Sequence, residues 1–159
     1  MALILDISED KLPDLHVQIV NGLAQHVTLF DHDKELLVLN TTEDRDAVLE
    51  LLEYDAITTE EINLLLLPPD SELYLSFSDY GFISKAERYY LYEHLVSIFR
   101  FSEQSAPLAE AANALLQMQE HLIAYYLIDS VPYYAYDRQF IELIEGIASA
   151  YKCSVLFKQ

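Results

Sequence analysis

Carboxylates crowd the front of this chain and tyrosines the back, and that division limits the folds open to it. Residues 1–80 hold 18 Asp and Glu against 3 Lys and Arg, a balance of −15, while residues 81–159 hold 9 against 6, a balance of −3; together they make the net charge of −18. Charged side chains are almost never fully buried unless paired, so the first half must keep much of its surface in water. Nine of the twelve tyrosines lie in the second half, from Tyr89 to Tyr151. Of the 159 residues 52% are hydrophobic and Pro plus Gly number only eight, a composition that folds instead of staying disordered. No Gly- or Ser-rich linker separates the halves and Pro68-Pro69 reads as a turn, so a single globular domain over residues 1–159 is expected.

The charge also sorts partners. Nucleic-acid affinity is built from Lys and Arg that neutralise phosphates, and nine such residues against 27 acids make DNA, RNA and anionic membranes poor partners. Cations and basic protein surfaces are attracted instead, with raised encounter rates. Cys153 is the one cysteine, which rules out an intramolecular disulfide and a multi-cysteine zinc site and suits a reducing, cytoplasmic setting. The first apolar run is five residues long with no basic residues before it, too short for a signal peptide, and no run approaches the ~20 residues of a membrane span.

Local patterning predicts strands first and helices later. Residues 1–7 form a short apolar run, Leu15, Val17 and Ile19 alternate with polar neighbours, and Asn21-Gly22 offers the pair a two-residue hairpin needs. Segment 12–23 also fits a helix, because Leu12, Leu15, Ile19 and Leu23 share helical spacing. A polar turn at 31–34 and a run over 35–40 continue the meander. Thr41 or Thr42 is placed to cap a helix over 43–54, and Thr59 opens a short one over 60–66. Residues 72–78 alternate as a half-buried strand. Ser84 with Glu87 reads as a capping box for a helix to Arg100, Pro107 opens a helix to about Ile128, Asp137 caps one over 138–150, and 153–157 closes as a strand. The fold expected is α+β: N-terminal antiparallel strands in a hairpin or meander, long helices packed on them, and a C-terminal strand. Residues 93–99 and 120–126 echo each other within two of these helices, with flanks that do not match.

Candidate functional residues fall into two sets. Glu43, Asp46, Glu50 and Glu53 follow one another at intervals of 3, 4 and 3, placing four carboxylates on one helix face, with Glu60 and Glu61 close behind. Like charges at that spacing cost stability, so the stripe reads as a recognition surface for a basic partner or as a solvated face. The second set is Tyr90, Tyr126, Tyr134 and Tyr136, whose rings fall on several helix faces and offer an interface or pocket, a homodimer seam included. His26, Asp31, His32 and Asp33 gather near a turn, but neighbouring residues there point apart and no metal is expected. Gly22, Gly81 and Gly146 lie too far apart for a phosphate loop. Cys153, His94 and His121 read as core or core-edge residues, and no catalytic set or cofactor is nominated. The function expected is a non-enzymatic, acidic interaction protein, inhibitor- or immunity-like or chaperone-like, that binds a basic protein surface. The alternative is a small-molecule-binding domain or enzyme with its pocket among the tyrosine-bearing helices.

Overall fold

A computed structural model describes residues 1–6, 21–23, 27, 29–54, 57–102 and 108–158. The chain divides into two compact units, Met1–Leu64 with Ile83–Arg88, and Leu65–Phe82 with Tyr89–Gln159.

The described part of unit 1 is built on a four-stranded antiparallel sheet that carries a helix of 13 residues. Strands β1 (Ala2–Leu5), β2 (Asp31–Asp33), β3 (Leu36–Val38) and β4 (Thr59–Ile62) lie in the order β2-β3-β1-β4. The β2–β3 hairpin turns on Lys34-Glu35, with Lys34 at φ 46°, so Asp31 to Asp33 belong to a strand and not to the expected turn. Helix α1 (Thr42–Tyr54) forms as expected. The Thr41 hydroxyl accepts from the Asp44 N–H (3.1 Å) and donates to the Asp44 carboxylate (2.7 Å), which satisfies a first-turn donor and fixes the helix start. Its Val48 and Leu52 close over Leu3, Leu5, Leu37 and Leu39 to form an aliphatic core. Expected helix 60–66 is replaced by β4 and, after Asn63, by β5 (Leu64–Leu66). Seven residues make too few helical hydrogen bonds to offset nucleation, whereas β1 offers Thr59–Ile62 a full antiparallel partner. Residues 21–23 are helical and Gly22 has no positive φ, so the Asn21-Gly22 hairpin turn does not form; residues 7–20 lie outside the described residues.

Unit 2 centres on a five-stranded antiparallel sheet in the order β12-β9-β11-β10-β6. Its members are β6 (Glu72–Leu73), β9 (Val96–Phe101), β10 (Leu122–Ile128), β11 (Val131–Asp137) and β12 (Val155–Lys158), with α3 (Leu108–Met118) after β9 and α4 (Ile141–Ala150) after β11. Taken in chain order, β9-α3-β10-β11-α4-β12 is a β-α-β-β-α-β path of ferredoxin-like arrangement, with β6 added beside β10. Residues alternate between two cores. Phe99, Tyr134 and Tyr136 face Met118, Ile144 and Ala148 of the helices, while Ile98, Ala124, Tyr126 and Ala135 pack against Leu67, Phe77 and Leu91. That second layer comes from a small sheet in the order β5-β8-β7, where β7 is Gly81–Ile83 and β8 is Tyr89–Tyr92, and from the one-turn helix α2 (Phe77–Tyr80).

The expected fold is therefore overturned. Among the described residues the protein is mostly sheet, with twelve strands in three sheets and only three helices of ten residues or more. Strand 72–78 stops at Leu73 and gives way to α2. Helix 84–100 does not exist: Ser84 and Glu87 meet in a turn, with the Glu87 N–H on the Ser84 carbonyl (2.9 Å) and Glu87 at φ 57°, and β8 and β9 follow. Helix 107–128 ends at Met118, and its remainder is a 3-10 turn over Gln119–His121 followed by β10. Asp129 and Ser130, at φ 51° and 65°, form the doubly positive two-residue turn that joins β10 to β11. Residues 93–99 and 120–126 each run from a turn into a strand. Where strands replace expected helices the cause is common: a strand buried on both faces has no polar alternation, so its apolar run is indistinguishable by period from a buried helix. Asp137 does cap the segment leading to α4, its side chain accepting from the Gln139 N–H (2.9 Å). Among the described residues no helix is long and apolar enough to cross a membrane.

Candidate functional site

The acidic stripe survives as a surface. Glu43, Asp46, Glu50 and Glu53 are all exposed on α1, opposite Val48 and Leu52. Arg45 ties this stripe to the sheet edge: its guanidinium holds Asp46 at 2.8 Å and reaches Glu61 on β4 at 3.5 Å. Those carboxylates, Asp46 foremost, raise the Arg45 pKa above its ordinary value. Glu61 pairs across from Leu3, whose side chain lies in the core under α1, so Glu61 shares the helix-bearing face. Glu60, opposite Ile4, is exposed on the other face and is not part of the stripe. Five of the six nominated carboxylates thus share one side of unit 1.

The nominated tyrosines sit elsewhere. Tyr90, Tyr126, Tyr134 and Tyr136 are all buried inside unit 2. Tyr90 stacks on Phe82 (5.1 Å between centroids), Tyr126 on Tyr133 (5.7 Å) and Tyr134 on Phe99 (5.1 Å), while Tyr136 meets Phe99 edge to face (5.6 Å). Burial pushes the Tyr126 and Tyr134 hydroxyls up to about 12. Their surfaces are already covered by this chain, which leaves no ring of the four as an open interface or pocket wall.

Of the His and Asp residues near the expected 31–34 turn, Asp31 is engaged in structural bonds. His26 lies outside the described residues. Asp31 is buried, accepting from the Ser84 hydroxyl (2.6 Å) and the His32 N–H (2.8 Å), with the Arg88 guanidinium 3.5 Å away. Arg88 also donates to the Phe30 carbonyl (2.7 Å) and lies over the Phe30 ring, so this group clasps residues 84–88 to β2 within unit 1. Among the described residues no three His, Cys, Asp or Glu side chains converge on a cation-sized site. In unit 2, Tyr80 donates to Asp137 (2.7 Å), and that hydrogen bond, with burial behind it, raises the Tyr80 hydroxyl to about 12. Cys153 is buried, and burial raises its thiol pKa above the ordinary value.

Sequence reasoning missed one surface. Between α3 and the turn after β6, an open cleft of about 610 Å³ is lined by Tyr74, Leu75, Ser76, Leu116, Gln119 and Glu120 among others, and continues into a hollow of about 380 Å³ over Ala112 and Leu115. Leu75 is wholly exposed and Leu116 is 65% exposed. The signal was there: Ala111, Ala114, Leu115 and Met118 make the inward stripe of α3, and Leu116 is a leucine outside it.

No family model, no curated protein and no solved structure matches this chain.

Proposed function

We propose that this protein is a non-enzymatic interaction protein that binds a basic protein surface through the α1 side of unit 1, in an inhibitory, immunity-like or chaperone-like role. The observation that supports the reading is the joining of Glu43, Asp46, Glu50 and Glu53 with Glu61 into one exposed acidic surface, in which Arg45, the single base among its described residues, is already paired with two of its members. Such a surface repels itself, and a cationic partner relieves that repulsion. Unit 1 holds 16 acids against 5 bases, a balance of −11, and unit 2 holds 11 against 4, a balance of −7, so the unit that carries this surface has the larger net charge with which to attract a cation. A cytoplasmic setting belongs to the same reading, supported by the lone, buried Cys153.

Affinity capture from the native host, followed by binding kinetics on the captured protein, tests the proposal. A stoichiometric basic partner is expected, with an association rate that falls steeply as salt is raised, because steering is screened beyond about 8 Å at physiological ionic strength. Glu50→Gln with Glu53→Gln should slow association further at low salt. An association rate indifferent to both salt and these substitutions returns the stripe to an ordinary solvated face.

A further inference from the structure

The cleft between α3 and the turn after β6 goes beyond the acidic-surface reading, since it lies on unit 2 and its argument does not use the α1 stripe. We infer that this cleft docks a short amphipathic helix of a partner protein, about two turns of apolar residues flanked by Lys or Arg. Leu116 contributes nothing to the core beneath α3, and Leu75 sits on a turn with its side chain entirely in solvent. Paired exposed leucines beside a concave surface mark an interaction site more often than a scattered apolar residue does.

Three features select the occupant. The first is the mixed lining. The exposed Leu75 and Leu116 stand among the polar side chains of Tyr74, Gln117, Gln119 and Glu120, with the Ser76 hydroxyl donating to the Leu122 carbonyl (3.2 Å). Such a lining suits an occupant that turns an apolar face inward and keeps polar side chains at its flanks, which an amphipathic helix does. The second is length. From Ala112 to Met118 the cleft runs roughly 9 Å along α3 and continues over the 3-10 turn at Gln119 and Glu120, together the span of about two turns of a partner helix. The third is charge. Among the described residues Glu120 is the one charged residue lining the cleft, its side chain 81% exposed and its carboxylate 3.5 Å from the His121 Nε2, and no Lys or Arg lines it. Beside this pair the His121 ring lies 4.8 Å from the partly exposed Phe140, whose ring adds apolar surface there. A second copy of this chain would bring −18 against −18, whereas an apolar helix with cationic flanks complements both the leucines and Glu120.

The probe is a fluorescein-labelled peptide of roughly 14 Leu and Lys residues with Leu at i, i+3, i+4 and i+7, compared by anisotropy with a scrambled peptide of identical composition. At about 0.15 M ionic strength the amphipathic peptide should bind about tenfold more tightly than the scrambled one. Leu75→Ser with Leu116→Ser should erase that difference while leaving the melting temperature unchanged, both side chains being exposed. Glu50→Gln with Glu53→Gln should leave the difference intact, so that failure of the acidic-surface proposal and failure of this one are told apart. Equal binding of the two peptides overturns the inference in favour of charge alone, as does a serine variant that binds like the parent. A concentration-dependent dimer in sedimentation that the serine variant dissociates overturns it in favour of a second copy in the cleft.

Discussion

Unit 1 and unit 2 solve the same problem, hiding apolar surface from water, with different materials. Among the described residues the buried cluster of unit 1 is wholly aliphatic, Leu and Val from α1, the sheet and positions 23 and 27, and the unit carries a balance of −11. Unit 2 holds eleven of the twelve tyrosines and builds two cores from stacked and edge-on rings on either side of one sheet. Aromatic rings bury more area each and fix their neighbours by shape, so unit 2 should tolerate truncation badly and neutralisation of its surface with indifference. Unit 1, strained by like charges outside, should respond in the opposite sense to charge removal.

Truncating the aromatic core tests the contrast hardest. Tyr134 packs between Phe99 and Tyr125, and Tyr90 is buried against Phe82. Either residue changed to Ala should cost about 3–5 kcal/mol, as for other large aromatics in cores, with no change of mass in sedimentation. A variant that melts like the parent but changes oligomeric state would restore the dimer-seam expectation. Close behind is Gly81→Ala. A Cβ at this buried position would collide with the Tyr90 backbone carbonyl, and since backbone cannot swing aside, a loss of about 3 kcal/mol, the upper part of the overpacking range, is expected in denaturant titration.

Alkali should find unit 2 by its tyrosines. Tyr80, Tyr126 and Tyr134 are raised to about 12, Tyr80 chiefly by its hydrogen bond to Asp137 and the other two by burial. A folded-state pKa above the ordinary value of 10 means that folding favours the neutral hydroxyl. The corresponding stability is fully present below pH 10 and is lost as pH rises through about 12. Tyrosinate absorbance should therefore rise late and together with loss of the near-ultraviolet circular dichroism of unit 2. Titration of all twelve tyrosines near 10 in the folded protein would show that these rings are not held as described.

A smaller effect probes the polar clasp of unit 1. Ser84→Ala removes the 2.6 Å hydrogen bond to the buried Asp31 carboxylate. The cost should be about 1–3 kcal/mol, the range for leaving a buried acceptor short of a donor, read as a lowered denaturant midpoint. An unchanged midpoint would mean that the 84–88 turn is not clasped by Asp31.

What the amino-acid pattern disclosed follows the same division. Helix α1 was legible because a capping threonine, early acids and a one-sided apolar stripe all agree. So was the acidic surface, since exposed charge needs no partner to be recognised. The aromatic segments 89–101 and 122–136 were not legible, because burial on both sheet faces removes the alternation that identifies a strand. Asp129-Ser130 lacks the glycine that usually announces a two-residue hairpin, and the Ser84 to Glu87 spacing imitates a capping box while forming a turn. Placement of the nominated tyrosines failed with those elements: rings assigned to several faces of helices instead alternate between two sides of a sheet. Leu116 was visible as a leucine out of stripe, but the cleft needs β6 and its turn alongside α3, a long-range pairing no local pattern contains.

The smallest effect has the sign that best separates the two units. Glu50 and Glu53 are exposed on α1, three residues apart on one face, and Asp46 stands four residues before Glu50. Each such like-charge pair costs roughly 0.2–0.5 kcal/mol, and helix residues near the C-terminal end gain nothing from the dipole as acids. Glu50→Gln with Glu53→Gln should therefore raise the thermal midpoint slightly at low salt, and the gain should shrink as salt screens the parent's repulsion. Neutralising Glu142 and Glu145 on α4, three residues apart in unit 2, supplies the comparison. There Glu142 sits in the first helical turn, where a negative charge is favoured, so its loss should offset the relief of repulsion and leave the midpoint nearly still. Equal shifts for the two double variants would mean that the excess charge of unit 1 has no energetic consequence of its own, and the case for the α1 side as the surface awaiting a cationic partner would go with it.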